Sequence, residues 1–452
     1  MKLKLSHYIV FSNTFYDSLL NIEKVMCLST RTLQHYSFDK SLYDKLISNN
    51  FDEIELEYME DLLSSEILVP LNENELETIL RRSESSILDN TTLYYVIQPS
   101  AQCQLGCEYC GQNHKNIKLN PIIEDKVIDR IEHKLQNSNY KELSIAWFGG
   151  EPMVAFSVMK SITEKLLKLC KTYDCNYSSK IVTNGLSVDE NKFDILVNEL
   201  EVRTIEITLD GTAEYHDNRR FTKNGSPTFE RIFQNLITIA NSNENLAKKV
   251  TITVRCNVDK RNGSSVTNLI KLLRQNNLHD KISFYCAPIH SWGNDAHKLS
   301  FSHQEFADLE IDWLYEMISL DFEVNLMPAL KPIVCMTVEK DSEVIDAYGN
   351  IFSCTEIPYV DIYNDSEHKL GNILFEGIEK VKQRSYINFH NDIRNEKFDC
   401  AKCKMLPVCG GACPKQWYEG NVPCPSNKFN MDKKLILQQL VIRQNYLQEI
   451  NS

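Results

Sequence analysis

No apolar run in the chain approaches the ~18 residues needed to cross a bilayer, which argues against a membrane protein. The apolar stretch after Tyr8 ends at Ser12-Asn13, too short for the core of a secretion signal, so the expected location is the cytoplasm. Positive charge is scarce: 49 Lys and Arg face 62 Asp and Glu. A net charge of −13 excludes nucleic acid as the main partner, because a polyanion is held chiefly through Lys and Arg. Much of the deficit is local, since residues 51–90 carry twelve Asp or Glu against two Arg. Glycine and proline are few, 15 and 13 in 452 residues, and no segment repeats or is of low complexity. With 42% hydrophobic and 25% charged residues, the composition is that of an ordinary globular protein, long enough for two or three domains around a large core.

Cysteine, by contrast, is abundant. Fifteen cysteines in a chain expected in the cytoplasm point away from disulfides, since thiols stay reduced there, and toward metal or redox chemistry. Three regions separate by pattern. Residues 1–90 alternate small strand-like pieces (Tyr8–Ser12, Val25–Ser29, Ile67–Pro70) with helical stretches (Ser41–Ile47, Ile54–Leu63), which reads as a winged-helix-like module. Residues 91–300 alternate short apolar strands, expected at Tyr94–Ile97, Ser144–Phe148, Lys180–Thr183, Thr204–Leu209, Val250–Val254 and Ile282–Cys286, with longer amphipathic helices. Such alternation implies parallel strands with right-handed crossovers, and six units suggest a partial (β/α)6 barrel within an α/β fold. Residues 301–452 open with a helix near Gln304–Ser319, close with one near Lys433–Glu449, and hold seven cysteines between them.

Cys103-x3-Cys107-x2-Cys110 follows the first barrel strand. Three thiolates so close can hold three irons of a four-iron, four-sulfur cluster and leave the fourth iron free to bind something else. Gly106 permits the tight loop such a cluster needs. Zinc sites usually offer four ligands in two pairs, which this spacing does not. The spacing, with Tyr109 before the third cysteine, resembles the radical S-adenosylmethionine (SAM) family over residues 93–290. Further motifs follow in the family's order. Gly149-Gly150-Glu151-Pro152 is similar to the GGEP turn whose backbone meets the SAM amino group, and Thr183-Asn184-Gly185 ends the third strand. Thr208-Leu209-Asp210-Gly211 with His216-Asp217-Asn218-Arg219-Arg220 resembles an SxDG…HDxxR signature, with Thr replacing Ser but keeping a hydroxyl. The resemblance makes Tyr109, Gly149, Gly150, Glu151, Thr183, Thr208, Arg220 and Asn257 the expected SAM-binding residues, while His216 is expected to be a structural hydrogen-bonding residue.

Cys335-x13-Gly349-x4-Cys354, then Cys400-x2-Cys403-x5-Cys409-x3-Cys413 and finally Cys424, is similar to the seven-cysteine SPASM extension of that family. The resemblance implies two auxiliary clusters, and so three four-iron, four-sulfur clusters in all. Cys335, Cys354 and Cys413 would serve the inner auxiliary one, and Cys400, Cys403, Cys409 and Cys424 the outer one. Cys27, Cys170, Cys175, Cys256 and Cys286 fit no motif and are expected as small core residues.

The chemistry implied is one-electron cleavage of SAM to a 5′-deoxyadenosyl radical that removes a substrate hydrogen, fed by a reductant such as flavodoxin or ferredoxin. Residues 1–90 resemble the leader-recognition domain fused to maturases of ribosomally made peptides, which takes a leader by strand addition. The expected function is therefore a peptide maturase installing a carbon–carbon or carbon–sulfur side-chain cross-link in a precursor peptide. The alternatives are a dehydrogenase-type maturase, like those that oxidise a Ser or Cys of sulfatases, and a non-enzymatic iron–sulfur electron carrier. Sulfatase maturases place a basic Asp after the cysteine matching Cys354; here Thr355 stands there and Glu356 follows, a shifted candidate for the catalytic base.

Overall fold

The structure is a computed structural model that describes residues 2–18, 20–364, 367–375, 377 and 382–451. Its centre is a sheet of six parallel strands in sequential order: β1 (Thr92–Ile97), β2 (Glu142–Trp147), β3 (Asn176–Thr183), β4 (Val202–Thr208), β5 (Thr251–Val258) and β6 (Ser283–Pro288). Every second side chain points to the outer layer of helices, and these positions are apolar and fully buried: Tyr95, Ile97, Ile145, Trp147, Ile181, Ile205, Ile207 and Val254. The helices answer with i, i+4 stripes. In α1 (Pro121–Asn137) Ile123, Val127, Ile131 and Leu135 are buried. Its start is set by Asn120, whose side chain accepts from the Ile123 N–H at 3.0 Å, with Pro121 at the first helical position. The helix after the barrel, α2 (His303–Ser319), begins with a reciprocal Ser302/Glu305 capping box. A (β/α)6 partial barrel is thus present as the alternation of the sequence implies.

The sheet does not stop at β1. On its open side β7 (Glu343–Ile345) pairs parallel to β1, and β8 (Asn350–Phe352) and β9 (Lys369–Asn372) follow antiparallel, so the cysteine-rich region shares the barrel's sheet. The turn between β7 and β8 uses Gly349 at φ +78°, and the Asp346 carboxylate accepts from the Tyr348 and Asn350 N–H groups at 2.9 and 2.8 Å. The seam is locked by Glu343, 1% exposed. Its carboxylate takes two bonds from Arg130 of α1 at 2.6 and 2.7 Å and the Tyr95 hydroxyl at 3.0 Å, with the Lys134 ammonium 3.1 Å away. Burial alone raises the Glu343 pKa, but the Arg130 bonds and the charges of Lys134, Arg130 and Arg384 outweigh it and bring it down to about 2.

The N-terminal region builds an antiparallel sheet around Ile22–Ser29, flanked by Ile9–Phe11, Phe15–Asp17 and His35–Asp39, beside a small ladder of Leu3–Leu5 with Leu68–Pro70. Two of its faces are buried against the cysteine-rich region. Tyr8, Ile79 and Leu80 pack with Val334, Phe389, Ile393 and Cys400, and Val10, Met26 and Leu28 pack with Met405, Val408, Met431 and Leu435. Arg394 ties Glu77 and Glu84 of helix Glu75–Leu88 at 2.9 and 2.6 Å. Part of the acidic stretch is neutralised internally, since the buried Arg31 pairs with Glu66, Glu73 and Glu75.

Candidate active site

The loop carrying Cys103, Cys107 and Cys110 leaves the C-terminal end of β1 and is fastened to the segment after β4. The Gly106 N–H donates to Phe221 O at 2.8 Å, Glu108 N–H to Arg219 O at 3.1 Å, and Lys223 N–H to Gln104 O at 3.0 Å. All three sulfurs line one cavity of about 1010 Å³, open to solvent, at the C-terminal ends of the strands, where barrel sites form. Burial raises the thiols, to about 12 for Cys103 and about 11 for Cys110, so a cluster binding here must displace protons. Among the described residues no three His, Cys, Asp or Glu side chains converge on a single ion. A cluster differs in this respect, because each thiolate binds its own iron.

Across the cavity lies the Gly149-Gly150-Glu151 turn. Gly149 has φ +118°, and a Cβ on Gly150 would stand 2.5 Å from Gln102 O, so neither position takes a side chain without moving backbone. The Glu151 carboxylate is occupied: it accepts from the Thr183 hydroxyl at 2.6 Å, Asn184 N–H at 2.7 Å and Met153 N–H at 3.0 Å. Glu151 and Thr183 therefore brace the turn against β3, and what the turn offers the cavity is backbone.

The third wall is a network centred on the Tyr109 hydroxyl. It donates to Asp210 Oδ2 at 2.6 Å and accepts from Arg220 Nη1 at 2.5 Å and Asn257 Nδ2 at 3.1 Å. Asp210 Oδ1 in turn accepts from the Asn257 N–H at 2.8 Å. Arg220 is 6% exposed and lines the cavity, yet among the described residues its Nε–H has no partner. A buried, unsatisfied guanidinium donor is costly unless an anion completes it, and the SAM carboxylate is such an anion. Thr208 lines the same wall, and among the described residues its hydroxyl makes no hydrogen bond. His216 is fully buried, its Nδ1 accepting from Asp210 N–H at 3.2 Å and its Nε2 lying 3.1 Å from the Thr228 hydroxyl; burial holds its pKa well down. It acts as a brace.

The C-terminal cysteines surround two further cavities. Cys335, Cys354 and Cys413 line one, together with Lys331, Thr337 and Lys415; Cys400, Cys403 and Cys424 line the other; Cys409 touches both. Glu356 borders the first of these and the barrel cavity at once. Its carboxylate lies 3.3 Å from His290 Nε2, and its carbonyl accepts from Trp292 Nε1 at 2.8 Å. Burial would raise the Glu356 carboxyl, but His290, Lys415 and Arg255 together lower it.

Residues 97–262, the span that supplies this cavity's walls from β1 through β5, match the family model "Radical SAM superfamily". The chain carries a radical SAM domain. It is similar over 360 residues, at 24% identity, to a protein of Clostridium novyi (strain NT) named "Cysteine-type anaerobic sulfatase-maturating enzyme", covering 74% of this chain and 91% of that one. A "Serine-type anaerobic sulfatase-maturating enzyme" of Bacteroides thetaiotaomicron is 24% identical over 364 residues, covering 72% and 83%. The fold is shared with a solved structure, "Native anSMEcpe with bound AdoMet and Cp18Cys peptide", at TM-score 0.56 and 19% identity over 80% of this chain and all of that one.

The radical SAM domain brings with it SAM and one four-iron, four-sulfur cluster, and the cysteine loop, the glycine turn and the open Nε of Arg220 fit that pair. Sequence motifs reach most of the cavity but miss several of its walls. Glu206 lies two residues before Thr208 on the same strand face, a signal alternation could have given. His114, its Nε2 3.6 Å from Cys110 Sγ, and His290 and Trp292, on the loop after β6, stand in no motif and become visible only once the chain is folded.

Proposed function

We propose that this radical SAM enzyme is a peptide maturase. It removes one hydrogen from each of two residues of a ribosomally made precursor and joins their side chains through a carbon–carbon or carbon–sulfur cross-link. The observation that carries the reading is Glu356. It stands on the border between the cavity of Cys103, Cys107 and Cys110 and the cavity of Cys335, Cys354 and Cys413, so a substrate group lying there faces both cysteine sets. Cys103, Cys107 and Cys110 would hold the cluster and Arg220 the SAM that together would supply a hydrogen-abstracting radical, and the seven C-terminal cysteines would hold auxiliary clusters able to accept an electron. The chain's own part is to hold and to shield. Arg220 and the glycine turn fix SAM, Tyr109 and Asp210 hold Arg220, and Glu356, oriented by His290, is the acceptor for the proton the substrate gives up.

The N-terminal region supports a peptide substrate. Among the described residues the strand His35–Asp39 pairs on one side only, and an extended leader can add to its other edge through backbone hydrogen bonds. A second reading, oxidation of one Ser or Cys without ring closure, is favoured by the similarity to proteins named as sulfatase-maturating enzymes. Co-expression with a candidate precursor followed by mass spectrometry tests both. A loss of two hydrogens is expected, with fragmentation blocked between the joined residues for a cross-link and uninterrupted for a single oxidised residue. An unchanged mass with SAM consumed would contradict both.

A further inference from the structure

The inner face of the barrel is divided. On β1 and β2 it presents Val96 and Ala146, buried under Val344, Phe352, Cys354 and Ile357 of the cysteine-rich region. On β3 to β6 the same face is polar and uncovered: Lys180 and Tyr285 are exposed, Glu206 and Arg255 partly so. Register puts them on one face, because Thr208 pairs with Arg255, Arg255 pairs with Tyr285, and Ala146 pairs with Lys180.

Arg255 stands at the middle of this wall. Its Nε donates to Asn257 Oδ1 at 2.8 Å. Its Nη1 is 3.7 Å from Glu206 Oε1, within ion-pair range but too far for a hydrogen bond, while Glu206 accepts the Tyr285 hydroxyl at 2.9 Å. Among the described residues its two terminal nitrogens make no hydrogen bond, so one edge of the guanidinium stays open beside the cavity. Lys180 lies 5.2 Å over the Tyr94 ring, and among the described residues it has no acidic partner. Arg255 and Lys180 thus share this wall with Glu206, and Glu356 lines the same cavity as Arg255, within reach of its charge.

We propose that the uncovered half of the barrel wall is the substrate groove and that Arg255 is its specificity residue, binding the carboxylate of an Asp or Glu in the peptide segment presented to the SAM cavity. The proposal rests on the peptide reading above and adds the chemistry of the segment. A planar guanidinium edge takes a carboxylate through two parallel bonds, whereas an amide offers a single oxygen and no charge. Lys180, further along the groove, adds attraction without fixing geometry. The precursor then carries an acidic residue near the modified side chain.

The test uses full-length, anaerobic, SAM-loaded holoenzyme and synthetic decapeptides identical except for Asp, Glu, Asn or Gln at the centre, with the bound fraction read by ultrafiltration and mass spectrometry. At low salt the acidic peptides should bind about tenfold better than their amide counterparts, and the preference should shrink as salt rises. Arg255→Gln should abolish it, Arg255→Lys should keep part of it, and Lys180→Gln should lower it. Calorimetry of SAM binding reports whether each variant retains its cofactor site. If Arg255→Gln also weakens SAM binding through Asn257, Lys180→Gln decides, and a preference unchanged in that variant overturns the proposal. Peptide binding without charge preference in the wild type overturns the groove's specificity and leaves the peptide reading standing. No binding of any peptide by an enzyme that cleaves SAM overturns both.

Discussion

Cys103, Cys107 and Cys110 lie on one loop that leaves β1, whose two ends pair with each other (Ser100 with Lys118) and whose middle is fastened to residues 219–223. The seven cysteines of the C-terminal region come from stretches scattered between 335 and 424, where regular structure is short: strands of three or four residues, helices of three to six, and loops. The first site is thus held by a hydrogen-bonded scaffold of its own. The second must be assembled by contacts from outside, namely the N-terminal sheet, the seam at Glu343 and whatever the cysteines themselves bind. A small region that cannot bury a core of its own leans on metal for its fold. The difference predicts which parts survive when each support is removed.

Stripping iron with a chelator under anaerobic conditions should have the largest effect, and it should fall on one side. Hydrogen exchange should rise steeply across residues 331–426 while β1 to β6 keep their protection. Equal loss in both regions would mean that the barrel also depends on metal. Glu343→Gln comes next. It leaves Arg130, Lys134 and Arg384 buried around a neutral group and should cost about 3–5 kcal/mol, measured by denaturant unfolding. The pH dependence has a definite sign. The folded carboxyl is depressed to about 2 from 4.5, so its contribution is fully present above 4.5 and disappears as pH falls toward 2. A variant as stable as the wild type at neutral pH, with an unchanged acid limb, would remove Glu343 from the account.

Smaller effects belong to the barrel site. Arg220→Ala should weaken SAM binding by about 1.5–3 kcal/mol, the range for a hydrogen bond to a charged group, and leave the C-terminal iron untouched. Thr208→Val should weaken it by about 1 kcal/mol, as for a neutral bond. Anaerobic calorimetry measures both, and affinities unchanged in the pair would displace the SAM site from this wall.

The barrel is legible in the sequence because its strands are apolar runs set between helices with clear stripes; the six expected strands all overlap observed ones. The cysteine spacings likewise single out the cysteines that line the three cavities. The N-terminal strands Leu3–Leu5, Phe15–Asp17 and His35–Asp39 leave no such trace, because pieces this short and this mixed in polarity carry no period. The seam at β7 is hidden for another reason: Glu343 reads as a surface residue until Arg130, far earlier in the chain, is seen to bond it. Nor does the acidic stretch of residues 51–90 reveal that its neighbouring surfaces are buried on the cysteine-rich region. A truncated chain beginning near residue 91 would expose both faces, so the N-terminal region is expected to hold up the outer cysteine set as well as any peptide.

The most direct test of the two cysteine sets is iron content together with SAM cleavage in a variant with Cys103, Cys107 and Cys110 all changed to Ala. Wild-type protein reconstituted without oxygen should hold about twelve irons and the variant about eight. The variant should release no 5′-deoxyadenosine on reduction while its remaining clusters keep their electron-paramagnetic signals. A variant that still cleaves SAM, or that loses all of its iron with the barrel folded, would contradict the separation of the two sites.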